Sequence, residues 1–588
     1  MASESTIQQF VHKLEEGGWA KWIRRAVLWA AVAWVIHLWM FKESGFRGLS
    51  HEKGIEQAQI AREIARGNGF STKMIRPAAL WQFHTKKGSF PLEQTPDTYH
   101  APLNPFINSF FLRLTRDTWT MTPKDVSYLS DKVIAGVQLA FFLLGVLVSY
   151  LTAKRLFDKR LALLGAGLLL VCQPLWNHAL SGLPQMLLLF LFSSAAYVIV
   201  RAVEARYAGQ STLRWAVALG ALFGLLALGH ALTIFLFVGA LVFAAIFFLP
   251  RGRDAAIMLA VFALCYSPWL VRNYQVCGNP LGVGWYSGLH QIRGSESQVM
   301  RAMALEGPLK GVVPAVFGEK IRAQVITQFS EIHRNLGQII VAPVFFLALL
   351  HLFKRPETAV FRWCIFSMWV CGLAGMAIFG IDSQSFLITP TTARANDLHA
   401  LFIPLMTFYG LALVLVLWSR LEITFRLVRV AFFTIIYVAS ALPFLSQLLD
   451  LLSAPKGRVQ WPPYVPPYIS LLGQWTTDQE ILMSDMPWAV AWYADRKSLW
   501  LPMTIADFTS LNDYNMLGGA IVGLYLTPVS GNHAFLHDIV DGEFKEWAPF
   551  IMRQVNVRDF PLRAVTALPI LDKCIFYADR DRWSTRED

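Results

Sequence analysis

LRWAVALGALFGLLALGHALTIFLFVGALVFAAIFFLP, residues 213–250, is an apolar stretch too long for one bilayer crossing. A spanning helix needs about 20 residues, so the stretch reads as two spans, 213–229 and 232–249, divided at Gly229-His230. Working outward, apolar runs at 25–41, 132–152, 161–177, 184–201, 255–271, 338–353, 362–381, 398–418 and 428–449 bring the expected number of spans to eleven. The positive-inside rule tests the division. With a cytoplasmic N-terminus, the inside loops hold Lys21, Arg24 and Arg25, then Lys154, Arg155, Lys159 and Arg160, then Arg201, Arg206 and Arg214. They continue with Arg251 and Arg253, Lys354 and Arg355, and Arg420, Arg426 and Arg429. Every short basic loop falls on one side, and without the break at 229–230 the later loops would invert.

Composition agrees. Of 588 residues, 55% are hydrophobic and 16% charged, against roughly 25% charged in soluble domains. That excludes a disordered or collagen-like chain and sets a purely soluble enzyme aside. The 21 Trp and 42 Phe suit long membrane interfaces. A net charge of +12 would suit nucleic acid, but its placement makes it an orientation signal, so no nucleic-acid partner is expected. Of six cysteines, Cys172, Cys265, Cys364 and Cys371 lie in apolar runs. Cys277 and Cys574 lie in loop or domain regions, where a single bridge is one reading. Walker, GxSxG, HExxH and CxxC patterns are absent from the sequence.

The expected class is an α-helical polytopic membrane protein with a small C-terminal extracytoplasmic α/β domain. Residues 1–24 read as a cytoplasmic segment, in which the pattern over 7–25 suits an amphipathic helix at the membrane surface. The first span lacks a small-residue cleavage site and is not read as a signal peptide. The transmembrane domain covers 25–449, with outer loops 42–130 and 272–337. The last domain, 450–588, is entered through the stiff linker WPPYVPPY (461–468). There, strand-like runs at 481–484, 520–526 and 570–577 alternate with helical segments at 468–477 and 487–494.

Most chemistry-capable residues cluster in the first outer loop. Ile55, Ala58, Ile60, Ala61 and Ile64 recur at helical spacing, predicting a helix from near Lys53 to Gly67 along the membrane surface. Glu52 and Glu56 stand four apart on one face of it. HAPLNPF (100–106) opens a second helix. Arg62, Arg66, Lys73 and Arg76 form a basic face that would meet a phosphate or lipid headgroups. His51, His84 and His100 share the loop with both glutamates but lack tight ligand spacing, so a divalent cation is left open and no metal site is assigned.

The order of QAQIAREIARGNGF (57–70), HAPLNPF, SGLPQMLLLFLF (181–192), SPWLVRNYQVCGNP (267–280) and SDMPWAVAWYADRKSLWLP (484–502) resembles the GT-C superfamily of polyprenyl-phosphate-sugar glycosyltransferases. The resemblance is to the bacterial branch with protein O-mannosyltransferases and the aminoarabinose transferase. It implies transfer of a sugar from an undecaprenyl-phosphate donor to a lipid, glycan or protein acceptor, at the outer face of a bacterial inner membrane. The chain would be multi-pass, with the C-terminal domain periplasmic. Such an inverting displacement needs a general base, and basic groups for the departing phosphate. The position matching the family's loop carboxylate is Glu56, where relatives commonly carry Asp; Glu52 is the alternative. Arg272, Arg394 and Arg76 are candidates for the donor phosphate, and His100, His178 and Asn273 are further candidates. Each has a plainer rival: a solvated carboxylate, a helix-start charge, or a snorkelling arginine. A non-catalytic GT-C-like scaffold subunit of a membrane complex is the alternative function. A lipid or glycan transporter would normally show duplicated halves, and no repeat is visible.

Overall fold

The computed structural model of the chain describes residues 33–36, 46, 48–88, 93–116, 119–125, 127–304, 312–381, 393–421, 425–453, 465–513, 517, 519–531, 536–554, 560–568 and 574–584. The surface segment over 7–25, most of the span at 25–41 and the first four linker residues lie outside them. The segment expected as the first outer loop contains helix α1 (Glu52–Arg66), a two-residue strand β1 (Met74–Ile75), α2 (Pro77–Lys87) and α3 (Leu103–Arg113). Next come α4 (Leu129–Leu156), α5 (Lys159–Leu170), α6 (Gln173–Ala179), α7 (Gln185–Tyr207), α8 (Leu213–Gly229), α9 (Thr233–Phe247) and α10 (Arg253–Cys277). The segment expected as the second outer loop holds α11 (Glu296–Arg301) and α12 (Pro314–Ser330); the last long apolar helices are α13 (Pro356–Phe379), α14 (His399–Arg420) and α15 (Arg426–Ser453).

Six of these helices, α4, α7, α10, α13, α14 and α15, are long and apolar enough to cross a membrane, and α5 with α6, bent by 58°, makes a seventh if taken as one span. The long apolar stretch does divide: α8 ends at Gly229 because His230 turns extended, at φ −160° and ψ 122°. At 1.5 Å per residue the two pieces are about 25 and 22 Å long, shorter than a full bilayer. The expected span at 338–353 is not a continuous helix. Gly337 and Gln338 have positive φ, Pro343 has no N–H to donate, and only Phe345–Ala348 is helical. The segment still passes from one end of the bundle to the other. Asn335 meets Arg394 at one end, and Arg355 meets the Phe157 carbonyl at the other. Short-range backbone bonds such as Ala342 to Ile339 and Phe345 to Ala342 satisfy it on the way. It lies against α14, where Gly410 is required: a Cβ there would overlap the Val341 carbonyl.

The remaining described strands, β2 (Ile481–Ser484), β3 (Lys497–Trp500), β4 (Ile521–Leu526), β5 (Ala564–Ala567) and β6 (Ile575–Ala578), follow helix α16 (Pro466–Trp475). They make one sheet in the order β1-β3-β2-β4-β6-β5. The first four in that order run parallel, and β6 and β5 add antiparallel pairs. The runs at 481–484 and 520–526 hold β2 and β4, and the described part of the third run holds β6. The strand at 74–75 comes from the first outer loop, so the sheet draws on two distant parts of the chain. None of the six cysteines forms a disulfide, so Cys277 and Cys574 are not bridged to each other.

Helix α1 is packed inside the protein and presents no open face. Thirteen of its 15 residues are buried. It packs against α3 on one side and against residues 487–494 on the other, and Gly54 sits so close to the 181–182 backbone that a Cβ would overlap the Ser181 carbonyl.

Candidate functional site

Three parallel strands deliver the site. Open parallel sheets bind ligands beyond the carboxyl ends of their strands. Arg76 follows β1, Trp500 ends β3, and Trp488 lies just past β2. Facing them is the first turn of α1, fixed by His51, whose Nδ1 accepts from the Lys53 amide at 3.1 Å.

At the centre is Glu56, 4% exposed. Its Oε2 is bonded by the Arg76 guanidinium and lies 2.5 Å from His100 Nε2. Arg76 also stands 3.6 Å from Asp97. Asp97 Oδ2 accepts from the backbone amides of Tyr99 (3.1 Å) and His100 (2.7 Å) and so aims His100. Burial alone would raise the Glu56 carboxyl, but Arg76, and then His100, bring it down to about 2. Glu56 is therefore no solvated carboxylate: it is buried, ionised and held by two partners.

One turn earlier, Lys53 Nζ bonds Glu296 Oε1 at 2.7 Å. Glu296 also accepts from the Tyr99 hydroxyl and from Ser287 Oγ at 3.1 Å. Burial opposes charge on Lys53, yet Glu296 and Tyr99 leave its pKa raised. The Tyr99 ring lies under both cations, 4.1 Å from the Arg76 guanidinium and 5.2 Å from Lys53.

Two spaces meet at this wall. An open cavity of ≈ 1280 Å³, including space continuous with solvent, is lined by Lys53, Tyr99 and His100 at its polar end and by Leu232, Phe235, Tyr266, Trp269 and Phe379 beyond. A smaller chamber of ≈ 360 Å³, again including space continuous with solvent, is lined by Glu52, Lys53, Glu56, Arg76, Tyr99, Glu296, Trp488 and Trp500. Lys53 and Tyr99 face both.

The structure thus brings Glu56, Arg76 and His100 together, places Glu52 on the chamber wall and places Asn273 on the large cavity. Arg272 is elsewhere: its guanidinium bonds the Asp97 carbonyl at 2.5 Å and the Phe70 carbonyl at 3.2 Å. That pins the loop that presents His100 and leaves Arg272 off the walls of both spaces. Arg394 and His178 face a separate pocket of ≈ 490 Å³, where Arg394 pairs with Glu331 at 2.9 Å and His178 lies 3.9 Å from Asp397.

The expected basic face has another destination. Arg62, Arg66 and Lys73 all converge on Asp495, at 3.0, 2.6 and 2.9 Å. Arg62 also donates to the carbonyls of Ala491 and Trp492, 2.8 Å each. These cations latch α1 and the loop after it to the sheet region. Sequence reading missed Lys53, Tyr99, Asp97 and Glu296. The signal for the first three lay in their nearness to His51, Glu56 and His100; Glu296, 240 residues on, had none.

A divalent cation does not fit the cluster. Among the described residues no group of three His, Cys, Asp or Glu side chains is placed to hold one, and the Arg76 guanidinium already supplies Glu56's positive partner.

A family model described as dolichyl-phosphate-mannose-protein mannosyltransferase matches residues 100–271, from His100 through most of α10. No curated protein matches the chain in sequence. ArnT from Cupriavidus metallidurans, solved bound to undecaprenyl phosphate, shares 14% identity at a TM-score of 0.51, over 95% of this chain and 98% of that one. The oligosaccharyltransferase of Archaeoglobus fulgidus, in complex with Zn and sulfate, shares 15% identity at a TM-score of 0.52, over 85% of this chain and 67% of that one. The same enzyme tethered to an acceptor peptide gives 13% identity and a TM-score of 0.52, over 87% and 69%. At these identities the likeness is one of fold. With the family model, it supports the resemblance to the GT-C superfamily of polyprenyl-phosphate-sugar glycosyltransferases.

Proposed function

We propose that the protein is a membrane glycosyltransferase that moves a sugar from a polyprenyl-phosphate donor to an acceptor by inverting displacement. The observation that carries this reading is the position of Glu56, Arg76 and His100 at the wall between a large cavity with an apolar far end and a small chamber ringed by charged side chains. The large cavity suits a prenyl chain, with a phosphate at its polar end beside Lys53 and His100. The neighbour solved with undecaprenyl phosphate supports that ligand class.

In the reaction, the acceptor oxygen bonds the anomeric carbon while the bond from that carbon to the phosphate oxygen breaks, and the phosphate leaves with the electron pair. Glu56 takes the acceptor proton. Lys53, with Arg76 behind it, balances the charge growing on the phosphate. A carboxylate held near 2 is a weak base. A donor phosphate that draws Arg76 toward itself relaxes that hold, so Glu56 gains basicity when the donor is in place. The open cavity favours this enzyme over a non-catalytic subunit, in which the groove would be filled.

We place the site at the outer face of a bacterial inner membrane, with the N-terminus cytoplasmic and the sheet region periplasmic. The cavity is lined near the starts of α7 and α9 and the ends of α8, α10 and α13. Arg155, Arg206, Arg253, Arg355 and Arg420 lie at the other ends of their helices, the arrangement that positive-inside orientation gives. The test is native mass spectrometry of the full-length protein with undecaprenyl phosphate added. One lipid per chain is expected, lost when Phe235→Trp and Tyr266→Trp narrow the cavity. Binding that survives both substitutions places the lipid elsewhere.

A further inference from the structure

We infer that the chamber walled by Trp488 and Trp500 is the acceptor site, and that it takes a carbohydrate, one sugar ring presenting a hydroxyl to Glu56. This rests on the transferase reading above and goes beyond it in choosing among glycan, lipid and protein acceptors. The first support is chemical. A sugar ring has hydroxyls that both donate and accept, and C–H faces that pack on aromatic rings. The chamber offers carboxylates at Glu52, Glu56 and Glu296, cations at Lys53 and Arg76, and two indoles set edge to face with centroids 5.9 Å apart.

The second support is an unsatisfied donor. Trp500 is 7% exposed, and its indole Nε1 is buried without a hydrogen-bond partner among the described residues. Buried polar groups are almost always paired, so this N–H awaits an acceptor oxygen, and a sugar hydroxyl or ring oxygen supplies one.

The third support is shape and position. The chamber is compact, ≈ 360 Å³ with solvent-continuous space included, whereas peptides are commonly bound by main-chain pairing along an extended groove. A lipid acceptor would compete for the apolar cavity already suited to the donor. The chamber is closed by all three outer segments: α1 and Tyr99 from the first, Ser297 and Met300 from the second, and the tryptophans from the last. Arg301, fully buried, ties the second to the last through the Leu501 carbonyl at 2.5 Å and Glu543 at 3.0 Å. In the step itself, the sugar hydroxyl oxygen bonds the donor's anomeric carbon, the phosphate departs with the pair from the broken bond, and the proton passes to Glu56.

The experiment is saturation-transfer NMR on the full-length protein in lipid nanodiscs, with undecaprenyl phosphate present. The probes are methyl glycosides of glucose, galactose, mannose and N-acetylglucosamine, with an N-acetylthreonine amide as the protein-type comparison. At least one methyl glycoside is expected to bind, and the threonine amide is not. Trp500→Phe keeps the ring and loses the N–H, so glycoside binding should weaken about fivefold, the worth of one hydrogen bond; Trp500→Leu should weaken it further. Retained undecaprenyl phosphate binding shows that both variants are folded. If no glycoside binds while undecaprenyl phosphate does, the carbohydrate assignment is wrong and the donor reading stands. Glycoside binding unchanged in both variants also overturns it. Loss of undecaprenyl phosphate binding in the wild-type protein removes the reading on which the inference stands.

Discussion

The two ends of helix α1 carry similar charge and do opposite things with it. At its start, the part-buried Lys53 and the buried Glu56 pair with Glu296, Arg76 and His100, and open space lies on either side of them. At its end, Arg62 and Arg66 are closed over by Asp495 and by backbone carbonyls, and join α1 to the sheet region. Ion pairing alone therefore does not mark a site. Charged groups act on a ligand where the fold leaves room beside them. Elsewhere they hold the fold together.

Glu56→Gln should sharpen that contrast most. Transfer is expected to fall about 10²–10⁴-fold, the usual worth of a general base, while undecaprenyl phosphate binding persists. An unchanged rate removes Glu56 from the base role. Arg76→Met leaves Glu56 and Asp97 buried without their cation, and should cost about 3–5 kcal/mol of stability, read from thermal unfolding in detergent. Glu56 should then titrate upward, because burial is no longer opposed by Arg76.

At the other end, Asp495→Asn leaves Arg62, Arg66 and Lys73 without their shared carboxylate. It should cost about 2–4 kcal/mol and loosen the sheet region, read as faster hydrogen exchange over 487–500, with transfer retained per folded molecule. If this variant abolishes transfer while Glu56→Gln does not, the division of roles is reversed. Both carboxyls sit below their ordinary values in the folded protein. Their stabilisation is therefore fully present above the unfolded pKa, 4.5 for Glu56. It is lost as pH falls from there toward about 2 for Glu56, which a pH series of unfolding midpoints checks. Smallest is Lys73→Ala. Lys73 is partly exposed and one of three cations on Asp495, so the loss should be about 1 kcal/mol or less.

The long helices were legible because hydropathy and basic loops repeat over whole spans, and the break at Gly229-His230 followed from length alone. The crossing at 338–353 was legible as apolar, but not as turns, since its positive-φ residues at 337–338 depend on packing against α14. Glu56, Arg76 and His100 were legible because they share one loop. Arg62 and Arg66 were misread because their partner, Asp495, lies more than 400 residues away, and periodicity cannot distinguish a buried helix in a seam from one on a membrane. Glu296 and the tryptophans reach the chamber only through the docking of separate outer segments.

Strand β1 gives the sheet region a debt to the first outer loop. A fragment starting after the Pro-rich linker would lack Met74 and Ile75, which pair with Ser498 and Leu499. Strand β3 would then become a bare rim with unpaired amides and carbonyls, a template for a second copy to join. The fragment would be expected to associate through that rim, whereas in the intact chain a stretch of only two residues keeps it capped.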